Sequence, residues 1–138
     1  MVREIEFKGL SEETSKWLFG NLVKIGNYYH ILNQKEKEEP SHLNRVFEDS
    51  IREFIGFYDM DNNKIFEKDV VEVYLPKEKP FRAQVIWNTV SASFYFKSYS
   101  FKELTKGREV AESTDFYFSI IDAKRFLKVI NNDTKENS

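Results

Sequence analysis

Two runs of strict alternation restrict this chain more than anything else in it. Phe81–Trp87 places Phe81, Ala83, Val85 and Trp87 on one side, and Ala92–Ser100 answers with Ala92, Phe94 and Phe96. A period of two is the pattern of a half-buried strand, and the intervening Asn88–Ser91 has a length suited to a hairpin. The alternation also fixes register, because a slip of one residue would turn every core side chain out to water. Val70–Leu75 continues the pattern with Val71, Val73 and Leu75 on one face. One core is therefore expected to hold Val71, Val73, Val85, Trp87, Phe94 and Phe96.

The rest of the chain reads the same way. Glu4–Lys8 alternates, with Ile5 and Phe7 on one face. Trp17–Ile25 is a second strand, and Gly20 inside it marks a bulge or a close backbone approach. Gly26-Asn27 signals a turn, and Tyr28–Leu32 returns as a third strand, so an N-terminal hairpin is expected. Asn33–Ser41 is charged and broken by Pro40, which makes it a solvated loop. His42–Ile55 supports two readings. Leu43, Val46, Phe47, Ile51, Phe54 and Ile55 have helical spacing, with Ser41 as a cap and Gly56 as a stop. Ile51–Phe57 is equally suited to a strand. Phe116–Ile121 and Phe126–Ile130 close the apolar segments, and residues 123–130 fit either a strand or a short helix capped by Asp122. Residues 131–138 form a polar tail, expected to fray. No repeat and no linker divides the chain, so residues 1–138 are expected to form one domain.

Composition supports a β-rich globular protein. Hydrophobic residues make up 41% and charged residues 32%, which separates the chain from disordered sequences. Aromatics reach 16%, with 13 Phe and 7 Tyr, and such side chains favour strands. The absence of cysteine rules out disulfides and thiolate metal sites, and fits an intracellular setting. No apolar run approaches the roughly 18 residues of a membrane helix. MVREIEFKGL carries charges where a signal peptide needs an apolar stretch, so a cytoplasmic protein is expected.

Within YDMDNNKIFEKDVVEV, Asp59, Asp61 and Asn63 sit at alternate positions, as the first ligands of a calcium loop do. Such a loop needs glycine at its sixth position and glutamate at its twelfth, where this chain has Lys64 and Val70. Asp and Asn equally suit a tight turn, since they bond their own backbone and tolerate left-handed conformations. A turn, and no metal, is expected here.

The same region carries a resemblance. IREFIGFYDMDNNKIFEKDVVEV is similar to the signature of the YopX-like family of phage and prophage proteins, with matching positions Phe54, Gly56, Asp59, Ile65, Phe66, Glu67, Asp69, Val70 and Val71. REIEFKG resembles the opening of those proteins, KWLFGNLV their next element, and AQVIWNTVSASFYFK the strand pair that follows. Ile55, Asn63 and Lys68 stand where the family carries Thr, Gly and Gly. Asn63 is expected to take the left-handed conformation in place of glycine. The resemblance implies a mostly β fold with minor α, built on a small SH3-like barrel core beside the N-terminal hairpin. It also implies an origin in a mobile element, and no catalytic mechanism.

Catalytic chemistry is not legible in the residues. There is no cysteine nucleophile and no Gly-x-Ser-x-Gly elbow. The two histidines, His30 and His42, do not form a zinc spacing, and His30 in YYHIL reads as a structural side chain. No carboxylate pair and no phosphate-cradling glycine loop is singled out. An enzyme is not expected, nor any cofactor. A binding or regulatory role through protein–protein contact or self-association is expected instead, with an unidentified phage or host partner.

Charge offers an alternative. Pro76–Arg108 holds seven Lys and Arg against Glu78 and Glu103, a net +5 within a chain of net −2, which leaves −7 for the remainder. Opposite Phe94 and Phe96, the strand presents Tyr95, Lys97 and Tyr99, and Arg82 and Gln84 point the same way across the hairpin. Rings beside cations are what single-stranded nucleic-acid binders use. Arg82, Tyr95, Lys97 and Tyr99 are therefore the candidate nucleic-acid or partner-binding residues. Cross-strand pairing and solubility account for the same residues.

Overall fold

Alternation becomes strand wherever a neighbour is available to bury one face. The computed structural model of the chain describes residues 4–77, 79–90, 92–101, 111–118 and 123–130, the backbone alone for 98–101 and 111–118. The protein is mostly β with one short helix. Its described strands form two antiparallel sheets and no closed barrel. By backbone contacts it divides into two compact units, the first ending at Gly56 and the second beginning at Phe57.

In the first unit, β1 (Phe7–Leu10), β2 (Trp17–Ile25), β3 (Tyr28–Leu32), β4 (Arg45–Val46) and β5 (Arg52–Tyr58, which runs on past the boundary) lie in the order β4-β3-β2-β1-β5. β2 and β3 have the predicted bounds and pair from Asn21↔Leu32 to Ile25↔Tyr28. Gly20 is the close approach that its place in the sequence announced. A Cβ there would collide with the backbone carbonyl of Leu32, and its φ of 154° is one that other residues rarely adopt. Residues after β1 cover the outer edge of β4: Ser11 bridges Val46, and Glu12 N–H donates to Arg45 O at 2.9 Å. Covering an edge in this way removes a template for unwanted strand pairing.

His42–Ile55 is not a helix. Two single 3-10 turns, His42–Asn44 and Glu48–Ser50, flank β4, and β5 follows. Ser41 does cap the first turn, accepting Leu43 N–H at 3.2 Å while Asn44 Oδ1 accepts Ser41 N–H at 2.9 Å. Sheet pairing overrides the helical spacing because it buries Val46 and Phe54, which are 2% and 0% exposed. Full burial of such side chains is worth about 1.5–3 kcal/mol each. Lys8 is also wholly buried. Its Nζ lies 4.7 Å from the centroid of the Trp17 ring, and the Arg52 guanidinium lies 5.0 Å from the same ring.

The second unit contains β6 (Lys64–Phe66), β7 (Val70–Val73), β8 (Phe81–Asn88), β9 (Ser93–Phe101), β10 (Ala111–Phe118), α1 (Ala123–Phe126) and β11 (Leu127–Val129). The last five strands lie in the order β10-β9-β8-β7-β11. Both readings of residues 123–130 are realised in succession, a single helical turn and then a strand. Asp122, residues 119–121 and the predicted tail 131–138 lie outside the described residues.

Register holds as the alternation predicts, with Val71↔Ala83, Val85↔Phe96 and Trp87↔Phe94. Val71, Val73, Val85 and Phe96 are each 0% exposed, and Leu127 and Val129 join them from β11. Trp87 departs from the expected core: it is 42% exposed, and Phe94 is only half-buried. They share the core side of the sheet but lie one row nearer the hairpin end, where burial has run out. The two rings pack edge-on instead, with centroids 4.9 Å apart.

Candidate functional site

The β8–β9 register brings the predicted residues together. Arg82 pairs with Tyr99, Gln84 with Lys97 and Ile86 with Tyr95, so all six positions fall on the sheet face opposite the core. Antiparallel partners share a face, and two-residue spacing keeps Tyr95, Lys97 and Tyr99 on it. Arg82 is exposed, whereas Gln84, Tyr95 and Lys97 are half-buried. The Tyr99 side chain lies outside the described part of the structure. β7 and β11 extend the face: Glu72 sits opposite Arg82, and Lys128 sits opposite Glu72. Glu72 is thus flanked by two cations. The Lys97 row holds Val70, Gln84 and Tyr117, without a carboxylate. Gln84 Nε2 donates to the Lys68 carbonyl at 3.1 Å, which fixes the amide beside Lys97.

The Asp59 region is built for a different purpose. Asp59 is 1% exposed, and Oδ1 accepts the N–H groups of Asp61 and Asn63 at 3.0 and 2.8 Å. Its Oδ2 accepts Val129 N–H at 2.8 Å and lies 3.4 Å from Asn63 Nδ2. Both oxygens are aimed at amides, as in a turn that bonds its own backbone. The left-handed residue is Asn62, at φ 64°, and not Asn63 as the family comparison of residues predicted. Asn63 instead supplies the carbonyl that accepts Asp59 N–H, at 2.8 Å. Asp69 repeats the device. It is wholly buried, its Oδ2 accepts Phe66 N–H at 2.8 Å, and Lys68 between them takes φ 70°. Among the described residues no three His, Asp or Glu side chains are gathered as a metal ion would need.

His30 has a structural place. It is 5% exposed, with Nδ1 3.0 Å from both Ser41 O and Asn44 Oδ1. Both partners accept, so Nδ1 carries the proton. No helix among the described residues is long and apolar enough to cross a membrane.

A second surface went unread in the sequence. In the first unit, Ile25, Tyr28, Leu43 and Phe47 are 49%, 51%, 61% and 46% exposed. Ile25 and Tyr28 form the last pair of the β2–β3 hairpin, and Leu43 and Phe47 flank β4, which pairs with β3. The Arg45 guanidinium lies 3.9 Å from the centroid of the Tyr28 ring, a stacked cation beside an apolar surface. The available signal was position: apolar side chains bracketing a Gly-Asn turn lie past the reach of a core.

Comparison with known proteins agrees with the resemblance. No curated protein matches the chain. The model of the YopX protein family matches residues 6–130, a span that takes in both sheets, the Asp59 and Asp69 turns and the returning strand β11. The chain belongs to the YopX family.

Proposed function

We propose that this is a non-catalytic binding or regulatory protein of phage or prophage origin, acting in the host cytoplasm through protein–protein contact. The first partner to test is a second copy of the chain. The exposed apolar group Ile25, Tyr28, Leu43 and Phe47 in the first unit carries this reading. Exposed apolar groups rimmed by polar residues are features of interaction surfaces, and tyrosine beside arginine is enriched in them. Two buried polar side chains have structural places: His30 holds the Ser41 turn, and Asp59 holds its own turn and β11.

The SH3-like core belongs to the same proposal. It is supported by the meander β7–β8–β9–β10 and by β11, which comes back beside β7. Sedimentation velocity over a range of concentrations tests the self-association. Growth of the sedimenting species with concentration, abolished by Tyr28→Ser, is the expected result. A single monomeric species throughout would refute self-association.

A further inference from the structure

We propose that the outer face of the second sheet is a binding site for single-stranded nucleic acid, with Tyr95 as a stacking platform for a base and Lys97 and Arg82 as phosphate contacts. This proposal rests on the second unit alone and does not depend on the self-association proposed above.

Charge selects an anion. Arg82, Lys97 and Lys128 share this face with Glu72, and Lys128 Nζ also lies 3.9 Å from Asp61 Oδ2. Glu72 stands between Lys128 and Arg82, so part of their charge is answered within the sheet. The Lys97 row has no such answer, since its neighbours in register are Gln84 and Tyr117.

Spacing selects the kind of anion. Tyr95, Lys97 and Tyr99 alternate on one strand, about 7 Å apart along it. An acidic polypeptide would be held by the cations alone and would gain little from rings in alternation. Unpaired bases stack on aromatic rings whatever their sequence, while cations beside a ring follow the backbone. The half-buried state of Tyr95 suits a platform, because its ring is already restrained before a base arrives. Gln84, held by the Lys68 carbonyl, keeps its place beside Lys97.

The test is fluorescence anisotropy of a labelled oligothymidine titrated with the full chain at several salt concentrations. Affinity should fall with salt, by a log–log slope of about −0.7 for each phosphate contact. Lys97→Gln should flatten that slope by about 0.7. Tyr95→Ala should weaken binding about 5- to 150-fold, with Tyr95→Phe restoring it, because stacking needs the ring and not the hydroxyl. Circular dichroism of each variant checks that the sheet has formed, and the salt slope of Lys97→Gln carries the test if the Tyr95→Ala variant does not fold. No anisotropy change at low salt overturns the proposal. So does binding that Lys97→Gln and Tyr95→Ala leave unaltered, or that polyglutamate competes away as well as oligothymidine does.

Discussion

Asp59 Oδ2 accepts the backbone N–H of Val129 at 2.8 Å, across 70 residues of chain. The same carboxylate holds its own turn through Asp61 and Asn63, and Met60 N–H donates to Leu127 O at 2.8 Å. The outer edge of β11 is therefore closed by the β5–β6 turn. A strand of three residues is too short to be stable by itself, and this carboxylate fixes it in place.

Replacing Asp59 with Ala should cost about 2–5 kcal/mol, because it strands buried N–H groups that each carry a penalty of about 1–3 kcal/mol. Asp59→Asn keeps one acceptor oxygen and should lose less. The shift in the urea midpoint measures both. An Asp59→Ala protein as stable as the parent would show that the Val129 bond contributes nothing.

Calcium should not bind at this turn. Both Asp59 oxygens face amide donors in a buried setting, and a cation would have to displace them. Isothermal titration with calcium should show no stoichiometric heat. A site tighter than millimolar, lost in Asp61→Ala, would contradict the turn.

Lys68 holds φ 70°, a conformation that costs a non-glycine residue about 1–2 kcal/mol. Glycine relieves that cost but gives back part of it through its greater freedom when unfolded. Lys68→Gly should stabilise the protein by about 0.5–1 kcal/mol in thermal or urea unfolding. Gly20→Ala should act in the opposite sense and more strongly, since its Cβ meets the Leu32 backbone.

Phe96 and Trp87 separate the core from its margin. Phe96→Ala should cost about 3–5 kcal/mol, as truncation of a fully buried ring does. Trp87→Ala should cost clearly less, because the ring is already 42% exposed. Equal losses in urea titrations would place Trp87 back in the core.

Period-two alternation made most of the strands legible, because each face of a strand meets a different environment. β2 and β3 fell on their predicted residues, and Val85 and Phe96 lie in the predicted core. Asn88 pairs with Ser93, however, so Ala92 lies in the turn at φ 51° and not on the core face. Alternation does not say where burial stops along a strand, and Trp87 lies one row beyond the core it points toward. Helical spacing over residues 42–55 failed for a related reason. Val46 and Phe54 are drawn into strands by partners distant in sequence, which no local window contains. The face carrying Arg82, Tyr95 and Lys97 was readable from spacing alone. The surface at Ile25, Tyr28, Leu43 and Phe47 was not, since it depends on where β4 joins β3. The chain also gave no hint that Asp59 would reach Val129.

Light scattering of the parent protein beside an Ile25→Ser, Tyr28→Ser double variant shows whether this surface joins copies of the chain. The parent's molar mass should rise with concentration toward a dimer or higher species, while the variant, folded by circular dichroism, should stay at the mass of one chain. A parent protein that remains at one chain's mass across the whole range would contradict self-association through this surface.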